Sequence, residues 1–192
     1  VTFTSRGCNH QCPWCLVWER EGRLSLIKNF APGHIIQDNN FLQCPQEHRE
    51  HVYAMLRGQR RAATFSGGLE AALITDAIAN ELRGVRIHEV YLACDTDGAL
   101  GPLERALDHL RFLRRRQLRC YVLIGFGDIQ QGQTLEEAEA RLERVWELGA
   151  LPFAQLYHPP FDRLLSYTPA WKALARKWSR PAAMFATHKG PL

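Results

Sequence analysis

In Cys120-Tyr121-Val122-Leu123-Ile124-Gly125, apolar residues follow one another until a glycine stops them. A run this short, rich in β-branched and aromatic residues, reads as a strand buried on both faces. Tyr91-Leu92-Ala93 reads the same way. Downstream, Leu135, Ala138, Leu142, Val145 and Trp146 fall at helical spacing. Thr134 and Glu137 are placed for a capping box at the start of that helix, and Gly149 for a glycine stop at its end. A strand, a polar turn and an amphipathic helix form a β/α unit, and the same alternation extends in both directions. Strands are predicted at Val1–Thr4, His34–Gln37, Ala62–Ser66, Glu89–Ala93, Cys120–Gly125 and Phe153–Tyr157. Helices are predicted after Pro45 around Val52, Met55 and Leu56, and from Leu69 through Ile78 up to Gly84. Two more are expected from Leu103 to Leu113 and from Pro169 to Trp178.

From the second strand onward the strands recur at intervals of about 30 residues, the size of a βαβ unit. The expected fold is α/β: a partial (β/α)6 TIM-like barrel of parallel strands, open on one side. A closed eight-stranded barrel usually takes about 250 residues, and the chain has 192. One domain is expected over residues 1–192, with its core in residues 1–160 and a C-terminal extension from 161. The chain opens on Val1, already inside a predicted strand, so further residues are expected before it.

Apolar residues make up 46% of the chain and charged residues 23%, which excludes a disordered tail, a collagen-like fibre and a disulfide miniprotein. No apolar run approaches the roughly 18 residues of a membrane span, and no signal peptide is visible. The formal charge is +4. Its most basic local run, Arg114-Arg115-Arg116 with Arg111 and Arg119 nearby, reads as a solvated helix end.

Six cysteines stand at 8, 12, 15, 44, 94 and 120. Three crowd into Cys8-Asn-His-Gln-Cys12-Pro-Trp-Cys15, which points to a reducing, cytoplasmic compartment, no disulfides, and a metal or cluster site. Three thiolates on one loop can converge on one face of an iron–sulfur cube. They leave one iron without a protein ligand, where a small molecule can bind. With His10 added, the same run has the composition of a zinc site. Cys44, Cys94 and Cys120 lack close spacing and read as small buried residues.

Polar or glycine-rich sequence follows four other strands. In Ser66-Gly67-Gly68-Leu69-Glu70, the glycines let a backbone approach a ligand, and Glu70 can accept from an ammonium group. Gln37-Asp38-Asn39-Asn40-Phe41 places Asp38 and Asn40 at a C-terminal strand mouth, either facing a ligand or forming an Asx turn. Cys94-Asp95-Thr96-Asp97 ends the fourth strand in the same way, and Asp95 is suited to a ribose or an ammonium group. Ile124-Gly125-Phe126-Gly127-Asp128 turns out of the fifth strand into a loop reaching Gln133. Tyr157 and His158 close the sixth, where they either reach the pocket or belong to core and a proline-locked turn.

The Cys-x3-Cys-x2-Cys spacing after a first strand, with the aromatic Trp14 before the third cysteine, resembles the radical S-adenosylmethionine superfamily. The resemblance covers residues 1–160 and points to an uncharacterised branch. It implies a [4Fe-4S] cluster on Cys8, Cys12 and Cys15, with S-adenosyl-L-methionine chelating the fourth iron. One electron then cleaves the sulfonium to a 5′-deoxyadenosyl radical that abstracts hydrogen from a substrate. Trp14 would lie by the adenine. Gly67, Gly68 and Glu70 resemble the family's Gly-Gly-Glu element, here with Leu69 inserted and one strand later than usual. Asp95 and Gly125 would complete the cofactor pocket, and Asp38, Asn40 and Tyr157 would stand nearer the substrate. The implied partners are an electron donor such as flavodoxin or ferredoxin, and an RNA, peptide or small-molecule substrate. The reading from another class is a non-catalytic zinc- or cluster-binding module, nucleic-acid binding in function.

Overall fold

A computed structural model describes residues 1–127, 132–159 and 166–188. In chain order its elements are β1 (Ser5–Arg6), α1 (Val17–Arg20), β2 (Ser25–Leu26), β3 (Ile35–Ile36), α2 (Gln46–Arg57), β4 (Ala63–Phe65) and α3 (Asp76–Arg83). There follow β5 (Ile87–Ala93), α4 (Leu100–His109), β6 (Leu118–Ile124), α5 (Leu135–Glu147), β7 (Leu151–Leu156), α6 (Pro169–Lys177) and α7 (Pro181–Thr187). The fold is mixed α/β. Its sheet has five parallel strands in the order β3-β4-β5-β6-β7, and it is not closed.

Five of the six predicted strands are in that sheet, and the first is not. Residues 1–4 contribute one parallel bridge, Thr2 to Ile36. The next residues leave to form an antiparallel pair, β1 with β2. The ladder stops because the Thr4 amide donates to the Asp38 carboxylate at 2.6 Å, and its carbonyl accepts from Ile27 at 2.8 Å. Both groups are satisfied outside the sheet.

The prediction that the central strands are buried on both faces also needs correction. Val90, Leu92, Cys120, Val122, Ile124 and Ala154 are buried, and they form one face against the helices. The alternate residues, Tyr91, Arg119, Tyr121, Leu123 and Phe153, are only half-buried. Tyrosine and the aliphatic stem of arginine are apolar along most of their length, so the period of two was hidden in the sequence.

The helix predicted from Leu69 divides in two. A 3-10 turn over Ala71–Leu73 precedes α3, whose start is set by Thr75, its Oγ1 accepting from the Ile78 amide at 3.4 Å. That side chain satisfies one of the free amides of a first helical turn and so fixes where the helix begins. Buried apolar residues from Ile36 to Met184 form one continuous core. Leu174, Trp178 and Met184 belong to it, so the C-terminal segment completes the core instead of lying outside it. No helix among the described residues is long and apolar enough to cross a membrane.

Helix α5 carries the reciprocal cap that its sequence announces. The Glu137 amide donates to Thr134 Oγ1 at 3.1 Å, and the Thr134 amide donates to Glu137 Oε2 at 2.9 Å. At the other end Gly149 takes φ +103°, and the Ala150 and Gly149 amides donate back to Val145 and Trp146, a Schellman stop. Thr134→Ala is expected to lower stability by about 1 kcal/mol. A urea unfolding curve with an unshifted midpoint would contradict that role for the cap.

Candidate functional site

Because the five strands run parallel, the polar sequence after each one emerges at the same edge of the sheet, where open α/β sheets build their sites. The cysteine loop lies over this edge. Gly7 leads into it at φ +78°, and a Cβ there would stand 2.3 Å from the Arg23 carbonyl oxygen, so only glycine fits. The Gly7 amide donates to Asn39 Oδ1 at 3.0 Å, and the Asn9 amide to Gln43 Oε1 at 2.9 Å. These bonds pin the loop to the segment that follows β3. The Cys15 amide closes a tight turn on the Cys12 carbonyl at 3.0 Å.

All six cysteines are free, but they fall into two classes. Cys44, Cys94 and Cys120 are buried in the core. Burial pushes the Cys94 thiol up to about 12 and the Cys120 thiol well above its ordinary value. Cys8, Cys12 and Cys15 are half-buried. The Cys12 thiol is also pushed up, by burial first, then by Cys15, Cys8 and Asp95. Crowded sulfurs that resist ionising together are relieved when a cation binds between them. Among the described residues, no three His, Cys, Asp or Glu side chains converge on the position of one metal ion.

Glu70 reaches the cysteine loop from the end of β4. Its Oε2 accepts from Asn40 Nδ2 at 2.7 Å and from Gln43 Nε2 at 3.2 Å. Its Oε1 lies 2.9 Å from His10 Nε2. Asn40 Nδ2 is also 4.0 Å from Cys8 Sγ, and Asn40 Oδ1 is buried without a partner among the described residues. Leu69 makes this reach possible. Its side chain is buried, and its amide donates to the Tyr91 carbonyl at 2.6 Å, so the next residue faces outward. Gly67 permits the two strand ends to touch, since a Cβ there would sit 1.9 Å from the Asp38 carbonyl oxygen. Gly68 has φ +102° and nothing within 4 Å of a Cβ, leaving its backbone approachable.

The opposite wall holds Asp95, Trp14, Phe126 and Tyr157. Burial raises the Asp95 carboxyl, while the Leu123 amide, donating to it at 3.2 Å, then the nearby Trp14 side chain and the charge of Arg141 pull it down. Trp14 meets the Phe126 ring edge-to-face at 5.4 Å, and Phe126 meets Tyr157 the same way at 4.8 Å.

Two predicted site residues serve the frame instead. Asp38 is 1% exposed. Its carboxylate accepts from the Thr4 amide (2.6 Å), Thr4 Oγ1 (2.5 Å) and Ser5 Oγ (2.8 Å). It anchors the segment leading to the cysteines and does not face the site. Gly125, at φ +74°, makes room for Tyr167, whose ring would stand 2.7 Å from a Cβ. The Tyr167 hydroxyl donates to the Tyr157 carbonyl at 2.6 Å. Residues 128–131 of the loop after Gly127 lie outside the described residues.

His10 and Gln43, both bound to Glu70, were not singled out as pocket residues. Only the place of His10 among the cysteines hinted at it, and Gln43 carries no signal. Cysteine loop, polar strand ends and aromatic wall thus come together from six stretches of chain. Compared with family models, curated proteins and solved structures, the chain finds no match in any of the three.

Proposed function

We propose that the chain is a radical S-adenosylmethionine enzyme on a partial (β/α)6 barrel, with Thr2 and its neighbours standing for the first strand. One observation carries the reading. The Glu70 carboxylate comes within hydrogen-bonding distance of Asn40 and His10, and the same Asn40 amide nitrogen stands 4.0 Å from Cys8 Sγ. The donor set fits a cluster: three free, half-buried thiols on one loop, flanked by an orphaned carboxamide oxygen on Asn40.

Cys8, Cys12 and Cys15 would hold a [4Fe-4S] cluster, which when bound supplies the electron for reductive cleavage of S-adenosyl-L-methionine. Glu70 would accept the methionine ammonium group. Gly68 lets the ligand lie against the backbone. Trp14, braced by Phe126, provides a flat apolar surface for adenine and keeps water from the reacting bond. Asn40 and Tyr157, on facing walls, orient the substrate.

A zinc-binding module is the weaker reading, because His10 directs its Nε2 at Glu70 and not at the thiols. The test is anaerobic reconstitution with iron and sulfide, reduction with dithionite, and mass spectrometry for 5′-deoxyadenosine. The expected result is bound iron, and 5′-deoxyadenosine that depends on protein and reductant. Retained zinc, with neither iron uptake nor 5′-deoxyadenosine, overturns the reading.

A further inference from the structure

The end of the sheet opposite the cysteines is strongly basic, and only the topology makes it so. Segment 57–63, between α2 and β4, holds Arg57, Arg60 and Arg61. Segment 83–88, from the last residue of α3 into the start of β5, holds Arg83 and Arg86, and segment 110–118, reaching the first residue of β6, holds four more. These three segments contain nine arginines and no aspartate, glutamate or lysine. The remaining 15 basic against 20 acidic residues leave the rest of the chain at −5. A modest overall charge therefore conceals a polar distribution.

The three segments touch one another. Arg86 donates to the Gln59 carbonyl at 2.6 Å and to the Arg60 carbonyl at 3.3 Å. Gln117 Nε2 donates to the Ile87 carbonyl at 2.8 Å. The Arg83 guanidinium lies 4.2 Å from the centre of the Phe112 ring. Arg60, Arg61, Arg114 and Arg116 are exposed and make no ion pair with the described residues. Of the nine, Arg111 is paired with Asp108 at 2.7 Å; where arginines stand together without such a counter-charge they repel one another, which a bound anion relieves. Exclusive use of arginine suits phosphate, which its planar fork grips through two hydrogen bonds.

From this end the half-buried face of the sheet leads toward the cysteine mouth, roughly 20 Å away along seven-residue strands. On it Tyr91 and Tyr121 stack with centroids 4.8 Å apart, Phe153 stands edge-on to Tyr121 at 5.8 Å, and Arg119 lies 6.0 Å from the Tyr91 centroid. The Tyr121 hydroxyl donates to the Ser66 carbonyl at 3.0 Å, at the edge of the site.

We propose that the arginine end and this aromatic face form a binding surface for single-stranded nucleic acid, phosphates on the arginines and bases against the rings. Unpaired bases can stack on aromatic side chains, whereas a duplex keeps them inside. This inference goes beyond the enzyme reading and does not depend on the cluster.

The test is fluorescence anisotropy of a labelled twelve-nucleotide oligouridylate with the reconstituted full chain, across a salt series. Arg60→Ala/Arg61→Ala/Arg114→Ala/Arg116→Ala is expected to weaken binding roughly a hundredfold at 0.1 M salt and to flatten the salt slope by about 2.8, at about 0.7 per lost phosphate contact. Its cleavage of S-adenosylmethionine should be unchanged. Tyr91→Leu should weaken binding several-fold with the slope preserved. Affinity unaltered in the arginine variant overturns the proposal. So does equal affinity for a duplex of the same length, or binding of phosphatidylserine vesicles without binding of oligouridylate. Cys12→Ala should retain oligouridylate binding, so failure of the enzyme reading leaves a separate signature.

Discussion

Cys12→Ala is expected to lose cluster iron and all cleavage of S-adenosylmethionine, while Cys120→Ala keeps both. Cys12 has cysteines three and four residues away, and Cys120 has none close in sequence. They also differ in where the sulfur can go. Cys12 is half-buried on its loop, and burial first, then Cys15, Cys8 and Asp95, raise its thiol. Cys120 is wholly buried between β5 and β7, with Leu92 and Pro152 as its partners in register. Removing the Cys120 sulfur leaves a small cavity, at a cost of about 1–2 kcal/mol, and changes nothing at the strand ends. Removing the Cys12 sulfur would leave two thiols, too few to hold the proposed cluster. Iron content after anaerobic reconstitution, read beside 5′-deoxyadenosine, separates the cases. Equal iron loss in both variants would defeat the ligand assignment.

Asp38→Ala should be the most damaging single change outside the core. Its carboxylate, Thr4 and Ser5 are all essentially inaccessible. Three donors point at that one carboxylate, and alanine would leave them buried without an acceptor. Hydrogen bonds to a charged group contribute about 1.5–3 kcal/mol each, and their loss is not additive. A total loss of about 3–5 kcal/mol is expected, measured by urea unfolding. The defect should extend to the cysteine loop, since Ser5 precedes Cys8 by only three residues and β1 sets the loop's direction. Reconstituted iron should therefore fall even where the variant remains folded. Asp38→Asn keeps one acceptor oxygen and should lie between the two. A loss below about 1 kcal/mol in Asp38→Ala would mean that water or a neighbour replaces the carboxylate, and that the first segment is held by other means.

Local patterns in the chain were enough for the alternation of strands and helices, the cap at Thr134, the glycine stop at Gly149 and the crowding of three cysteines. Each depends on residues within a few positions of one another, so spacing alone encodes it. The roles of the polar residues after the strands were not legible in this way. Asp38 and Asn40 are two positions apart in the same motif. One is bound to Thr4 and Ser5 inside the frame, and the other joins Glu70 beside Cys8. Which is which depends on the partner that arrives from some 30 residues away, and that is decided by strand order.

The same limit explains the misplaced first strand, drawn off the sheet by a buried carboxylate, and the open face, whose tyrosines look fully apolar when read along one strand. It explains the arginine end as well. Arg114-Arg115-Arg116 is an ordinary solvated run by itself. It becomes part of a charged surface only because parallel strands return every helix to the same edge, and set Arg60 and Arg86 beside it. Short-range propensity and burial period are written in the sequence. The meeting of distant charges, and of cysteines with the carboxylates that face them, is a property of the parallel sheet.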